Sequence, residues 1–184
     1  TAPIISILGG GKSSIKRKMN NNRLKDFCKF SGLQLLSWDM DPAYPVLRKF
    51  YELMGLGPEQ RLWFTELYTT FYDLGSAERA FEKYPRPVLI EEHLSYPTGI
   101  ERRGFRGNGL ATVCLNDFIK ATSQVGSIHR WVRLCLEESP EESRAALRKK
   151  YQALRYCGPW ASYKFADLMK NVHGYDLAAN DIGV

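Results

Sequence analysis

The sequence has few of the features that mark metal-binding, secreted or membrane-spanning proteins. Four cysteines occur in 184 residues, with no C-x-x-C pair and no histidine at zinc-finger spacing, a pattern that predicts no metal or iron–sulfur site. The wide cysteine spacing excludes a disulfide scaffold and favours a reduced, cytoplasmic protein. The sequence contains no run of about 18–20 apolar residues, so it predicts neither a membrane span nor a membrane partner.

What remains is an ordinary globular composition, with 44% hydrophobic, 25% charged and 12% aromatic residues. A chain of this length usually folds around a single core. The net charge of +6 is by itself a weak indication of a polyanionic partner. Its distribution is more informative, because the basic residues gather in three segments: residues 12–18, 101–106 and 144–155.

After residue 40 the apolar residues repeat at helical spacing along most of the chain. Capping residues followed by proline, as in Ser139-Pro140, predict several helix starts. Residues 95–109, rich in glycine, proline and arginine, are predicted to be a long loop. We therefore predict an all-α fold, a helical bundle of seven or eight helices. The predicted helices begin near Asp41, Gly57, Ser76, Leu110, Ile128, Ser139 and Pro159.

We divide the chain into an extended N-terminal arm, residues 1–37, and a helical domain, residues 38–184. The arm is glycine-rich and basic, and Pro3–Leu8 and Leu33–Leu36 within it are candidates for short strands. Its Gly9–Lys12 segment resembles the end of a phosphate-binding loop, but Ser6 stands where that loop needs its first glycine. We interpret the segment as part of the arm and leave its role open. The chain begins with threonine rather than methionine, which leaves open whether it is part of a longer protein.

The segment from residue 154 to residue 164 predicts a phosphate-binding hairpin. A short turn at Gly158 joins two predicted helices, and the second helix begins with backbone amides that can bind an anionic oxygen. The predicted DNA contacts in this segment are Arg155, Gly158, Trp160, Ser162 and Lys164.

The predicted loop contains three arginines within five consecutive residues: Arg102, Arg103 and Arg106. The guanidinium group forms paired hydrogen bonds to phosphate oxygens, a geometry that lysine does not offer. The cluster therefore predicts a contact with pyrophosphate or with a DNA backbone. A solvated loop whose charges only maintain solubility is the alternative.

The hairpin resembles the helix-hairpin-helix of the DNA glycosylase superfamily. Asp181 falls where that superfamily places its catalytic aspartate. Tyr156 replaces the hairpin's first glycine, and Trp160 occupies the position of the lysine in lyase-type members. The residues that match the hairpin motif are Leu154, Gly158, Pro159, Trp160 and Ala161.

A set of motifs over about residues 38–184 resembles a narrower family, the phage α-glutamyl/putrescinyl-thymine pyrophosphorylases, also called amino acid:DNA transferases. The motifs follow the family's order along the chain. They are residues 41–48, residues 59–68 with the sequence Glu59-Gln60-Arg61-Leu62-Trp63-Phe64, the arginines of residues 102–106, the segment 158–164, and Asp181.

The resemblance implies a DNA hypermodification enzyme. Its substrate is DNA in which a kinase has converted 5-hydroxymethyluracil into a pyrophosphate ester, and the amine of an amino acid or a polyamine displaces the pyrophosphate. The resemblance assigns catalysis to Asp181 and the three loop arginines, and the base pocket to Tyr68, Tyr72 and Arg61. The implied setting is the cytoplasm of a phage-infected host. No metal ligand is assigned, and whether Mg²⁺ accompanies pyrophosphate stays open, as do the amine used and the oligomeric state.

Two alternatives remain at this level. In a helix-hairpin-helix glycosylase, Asp181 stabilises an oxocarbenium-like sugar or activates water, and the product is an abasic site. In a noncatalytic helical domain associated with a 5-hydroxymethyluracil DNA kinase, the hairpin only binds the DNA backbone.

Overall fold

The protein is described by a computed structural model that covers residues 25, 28–29 and 43–179. The chain divides after Ala43, and residues 44–184 form a compact unit of their own. The division falls a few residues beyond the boundary that we predicted at residue 38. The predicted strands and the Gly9–Lys12 segment lie outside the described residues.

The described part of the chain is helical and contains no strand, which confirms the all-α prediction. Seven α-helices and one 3-10 helix follow one another between residues 43 and 179. They are α1 (Ala43–Leu53), α2 (Pro58–Phe71), α3 (Leu74–Lys83), the 3-10 helix (Ile100–Phe105), α4 (Leu110–Ser123), α5 (Ile128–Arg133), α6 (Pro140–Gln152) and α7 (Pro159–Asn171).

The helices begin where the capping signals predict. Pro58, Pro140 and Pro159 each occupy the first turn of a helix, where the missing N–H costs no hydrogen bond. At the start of α6 the Ser139 hydroxyl accepts a hydrogen bond from the backbone N–H of Glu142. These starts are therefore set by local sequence.

Two predicted elements differ from the structure. Helix α3 begins at Leu74 rather than Ser76, because the Asp73 carboxylate caps it by accepting from the Ser76 N–H at 2.8 Å. The predicted loop over residues 95–109 contains the 3-10 helix Ile100–Phe105. In both cases a polar side chain or a tight backbone turn sets where the helix begins. The spacing of apolar residues does not indicate either feature.

Helix α2 lies at the centre of the fold. It packs against α3, α4, α5 and α7 and against the 3-10 helix, and residues 62–71 are all buried. Trp63 and Trp131 are 0% and 2% exposed, so both pack in the core. Helix α2 therefore contacts most of the other helices of the unit.

Candidate functional site

The predicted hairpin forms a tight turn between α6 and α7. Tyr156 has φ +63°, in the left-handed region, which costs a residue with a Cβ about 1–2 kcal/mol. The backbone therefore keeps the conformation suited to glycine at the position where the hairpin motif has one. Gly158 follows as the cap of α7 and is exposed, with open space around its Cα. The first backbone amides of α7 are thus placed as an anion-binding helix end.

The three arginines of the loop divide between the interior and the surface. Arg102 is 7% exposed; its Nε donates to the carbonyl of Thr70 at 3.1 Å and its Nη1 to the carbonyl of Tyr156 at 3.2 Å. Arg103 and Arg106 are exposed, and Arg106 donates to the carbonyl of Thr98. Arg102 therefore anchors the loop to α2 and to the hairpin, while Arg103 and Arg106 are exposed and Arg106 is held by Thr98 within the loop.

Glycine at position 99 allows this loop to approach the end of α2. The Gly99 N–H donates to the carbonyl of Phe71 at 3.0 Å, and a Cβ on Gly99 would lie 2.5 Å from the carbonyl oxygen of Tyr72. Tyr72 itself caps α2 with φ +48°. Non-glycine residues in this conformation are uncommon and concentrate at functional sites. Tyr72 and Tyr156 are the two such residues in the described part of the chain.

Aromatic side chains connect these elements. The ring centroids of Tyr72 and Trp160 lie 4.8 Å apart in an edge-on arrangement, and those of Tyr68 and Tyr72 lie 5.4 Å apart. The guanidinium carbon of Arg102 is 5.9 Å from the Trp160 ring. The structure therefore brings together the predicted base-pocket residues Tyr68 and Tyr72, the hairpin and the arginine loop.

Lys164 is buried within this cluster, at 5% exposure. Its Nζ lies 4.7 Å from the centroid of the Tyr44 ring and 5.7 Å from that of Tyr72. It also donates to the Tyr44 hydroxyl at 3.3 Å and lies 3.8 Å from the Asp167 carboxylate. We predicted Lys164 as a contact to the DNA backbone; the structure places its ammonium group among aromatic rings instead. Below, the aromatic cluster means Tyr44, Tyr68, Tyr72, Trp160 and Lys164.

Tyr44 and Asp167 did not emerge from the sequence as site residues. Asp167 follows Lys164 by three residues, so the two share one face of α7, and this spacing is the signal that identifies the pair. Tyr44 carries no comparable signal, because its contact with Lys164 spans 120 residues of chain.

Other predicted residues lie apart from the cluster. Arg155 is exposed and pairs with Asp117 at 3.8 Å. The buried hydroxyl of Ser162 accepts from Gln152 and donates to the carbonyl of Pro159, so it joins α6 to α7 rather than facing solvent. Arg61 precedes Tyr72 by eleven residues on α2, about 16 Å at 1.5 Å per residue, and lines a different cleft. Asp181 lies outside the described residues.

A buried polar network lies beneath the arginine loop. The Glu66 carboxyl group accepts hydrogen bonds from Tyr151 at 2.8 Å and Thr70 at 3.2 Å, and burial raises its pKa well above the ordinary value. The thiol sulfurs of Cys114 and Cys157 are 3.4 Å apart, and Arg102 donates to Cys114. Arg102 therefore connects this network with the surface loop.

The fold and the site together define a helical bundle in which a largely buried aromatic cluster lies beside the hairpin and the arginine loop. No protein-family model matches the chain, and a search of curated proteins finds no match either. Among the described residues, no helix is long and apolar enough to cross a bilayer. The same residues contain no group of three or more histidine, cysteine, aspartate or glutamate side chains arranged to hold a metal ion.

Proposed function

We propose that the protein modifies DNA by displacing pyrophosphate from activated 5-hydroxymethyluracil with the amine of an amino acid or a polyamine. The observation that carries the proposal is the juxtaposition of the aromatic cluster, the hairpin and the arginine loop around Arg102. Each part suits one requirement of the reaction: aromatic rings for a base outside the helix stack, a contact for the DNA backbone, and cations for the leaving group.

The reaction forms one bond and breaks one bond. The amine nitrogen attacks the methylene carbon attached to C5 of the uracil ring, and a C–N bond forms as the C–O bond to pyrophosphate breaks. The bonding electrons leave with the pyrophosphate oxygen. The proton lost by the amine goes to a base, a role that the family resemblance assigns to Asp181.

We assign the three arginines different roles, because they differ in burial. Arg103 and Arg106 are the exposed arginines of the loop, so we assign them to the pyrophosphate, where cations stabilise the charge that develops on the leaving oxygen. Arg102 is buried and fully engaged by Thr70, Tyr156 and Cys114. We therefore assign it a positioning role, holding the loop against the hairpin.

Exposed apolar side chains beside the loop support a DNA-facing surface. Ile100 is 69% exposed and Tyr156 is 48% exposed, and the rings of Tyr156 and Phe105 lie 6.1 Å apart. DNA-bending and base-extruding proteins insert such side chains between base steps. Tyr72 and Trp160 then provide the rings against which the extruded base stacks.

Product analysis tests the proposal directly. The protein is incubated with pyrophosphorylated 5-hydroxymethyluracil DNA and a set of amines, and the DNA is digested to nucleosides for mass spectrometry. We expect a new amine-bearing nucleoside and release of pyrophosphate. Free base and an abasic site would indicate a glycosylase instead, and DNA binding without any product would indicate a noncatalytic module.

A double variant, compared with a control variant, tests whether Arg103 and Arg106 contact the leaving group. We expect the double variant Arg103→Ala and Arg106→Ala to lower kcat/KM on activated DNA by about 100-fold or more, since two charge-assisted contacts are lost. Its affinity for unmodified duplex is expected to change much less. The control is Arg79→Ala, which removes an exposed arginine from α3. Equal losses on activated and unmodified DNA would reduce the two arginines to general backbone contacts.

A further inference from the structure

A second cleft lies at the other end of α2, away from the aromatic cluster. Its volume is about 580 Å³, within the range of small-molecule sites. Residues from α1, α2, α5 and the segment after α7 line it, all within the compact unit of residues 44–184. The polar side chains that matter below are Arg48, Arg61, Arg133, His129, His173 and Tyr175.

Two of the arginines present donor groups that the described residues do not satisfy. Arg61 uses its Nε to bind the carbonyl of Leu56 at 2.7 Å, which fixes the guanidinium group, and its terminal amino groups have no partner in the described part of the chain. Arg133 is exposed on α5, and its guanidinium group makes no hydrogen bond or ion pair with any described residue. Two guanidinium groups are therefore left to bind a ligand.

The other polar groups of the cleft bond to described residues or face an opposite charge. His129 and Tyr175 share a hydrogen bond of 2.8 Å, and His173 bonds to the Thr65 hydroxyl at 2.7 Å. Burial lowers the pKa of His173 to about 4, so its ring is neutral at physiological pH. With three arginines against the carboxylates of Glu52 and Asp176, the lining carries a net charge of one positive unit.

One wall of the cleft is apolar, formed by Pro58, Leu62, Leu136 and Val172. A free phosphate or sulfate ion would occupy a small part of the cleft and leave this wall in contact with water. A ligand with an anionic group at one end and an organic body at the other would satisfy both the arginines and the wall.

We propose that this cleft binds a small organic phosphate monoester of about the size of a mononucleotide. Arg61 and Arg133 hold the phosphate, and the organic body packs against the apolar wall. The site is separate from the aromatic cluster, since Arg61 and Tyr72 are about 16 Å apart along α2. It does not depend on the function proposed above.

Isothermal titration with the full chain tests the proposal, using thymidine 5′-monophosphate, adenosine 5′-monophosphate, thymidine and inorganic phosphate as probes. We expect at least one monophosphate to bind, and thymidine and inorganic phosphate to bind at least tenfold less tightly. Arg133→Ala is expected to lower the affinity for the monophosphate by about tenfold or more, because a charge-assisted contact is lost.

Arg130→Ala is the matched control, because Arg130 is also an exposed arginine of α5 but does not line the cleft. Its affinity for the monophosphate should stay within twofold of the wild type. A second variant, Arg61→Gln, should weaken binding as Arg133→Ala does, with circular dichroism confirming that both variants fold.

Three results would overturn the proposal: no binding of either monophosphate, equal binding of thymidine and its monophosphate, or equal losses in Arg133→Ala and Arg130→Ala. A loss of duplex DNA affinity in Arg133→Ala without any monophosphate binding would also overturn it, and would assign Arg133 to the DNA backbone. The proposed DNA modification is unaffected by these outcomes, because its assay measures nucleoside products.

Discussion

At the scale of single residues, His173 shows how burial fixes a protonation state. Its ring stacks on Tyr51 with centroids 5.8 Å apart, and its Nε2 bonds to Thr65. The Thr65 hydroxyl also bonds to Tyr51 at 2.7 Å. Burial first, and the nearby Arg61 second, lower the pKa of His173 to about 4. Folding therefore favours the neutral ring.

This shift predicts a pH-dependent stability. Between the ordinary pKa of 6.5 and the folded value of about 4, the unfolded chain binds a proton at this site and the folded protein does not. The free energy of unfolding should therefore fall as the pH falls through this window, by about 3 kcal/mol from this group. Urea unfolding of wild type and His173→Gln at a series of pH values measures the effect.

The difference between the two proteins isolates His173 from Glu66, whose raised pKa acts in the opposite direction over the same range. His129→Gln is the control for the substitution itself, since His129 is an exposed residue outside the contacts of Thr65 and Tyr51 with His173. Parallel profiles for wild type and His173→Gln would contradict the prediction.

Tyr156 offers a second prediction at this scale, because its backbone has φ +63°. Tyr156→Asn and Tyr156→Val both remove the ring, but asparagine tolerates the left-handed region and a β-branched residue does not. We expect the valine variant to be less stable than the asparagine variant by about 1 kcal/mol or more. Thermal unfolding compares the two, and equal stability would mean that the turn relaxes to another conformation.

At the scale of elements, local signals and long-range contacts differ in how far the sequence predicts them. Helix starts such as Ser139-Pro140 depend on neighbouring residues, so they could be predicted. The end of α5 could not be: the apolar stripe of residues 128–136 continues past Arg133, but Cys135 and Leu136 donate to carbonyls three residues back. This tighter turn keeps the stripe facing the core. The apolar pattern therefore continues unchanged across the end of the α-helix and gives no sign of it.

In the candidate site, too, local features could be predicted from the sequence and long-range contacts could not. The hairpin and the arginine loop were visible because each is a short, continuous segment. That Arg102 is buried and Arg103 exposed could not be predicted, because all three loop arginines look alike in sequence. Their difference depends on carbonyl acceptors 32 and 54 residues away, at Thr70 and Tyr156.

Two arginines with like charges and unsatisfied donors lie between α6 and α7. The guanidinium groups of Arg144 and Arg148 lie 5.6 and 6.0 Å from the Tyr163 ring. Arg144 Nη2 and Arg148 Nε are buried and have no hydrogen-bond partner among the described residues. Burial first, and then Arg148, lower the pKa of Arg144.

We expect Arg148→Met to raise the free energy of unfolding by about 1 kcal/mol, because it keeps the packing on Tyr163 and removes a like charge and an unsatisfied donor. Arg148→Ala is the control, since it also loses the packing and should gain nothing. Chemical denaturation measures both. A loss of stability in the methionine variant would show that the arginine pair is favourable as it stands.

At the scale of the whole molecule, the core separates the cysteines into two classes. Cys114, Cys135 and Cys157 are buried at 0%, 2% and 1% exposure, whereas Cys28 is exposed. The three buried cysteines lie among apolar side chains, where a thiol packs as a small hydrophobe.

We therefore expect one fast-reacting thiol in the native protein. A thiol reagent should label Cys28 at once, while the other three react at the rate at which the helical unit opens. Mass spectrometry of the labelled peptides identifies the sites, and Cys28→Ser should abolish the fast phase. Rapid labelling of Cys114 or Cys157 in the folded protein would contradict the buried network around Arg102.

The anchoring of the arginine loop by Arg102 has a consequence for how such a surface changes over evolution. The inward arginine holds the loop through backbone carbonyls of α2 and the hairpin, and these acceptors are present whatever side chains those positions carry. Arg103 and Arg106 take no part in these contacts, and Arg106 bonds to Thr98 within the loop itself, so substitutions at either position leave the contacts of Arg102 in place. The loop can thus acquire a new ligand preference by changing its outward residues, and variation among descendants should be confined to those positions while position 102 stays arginine.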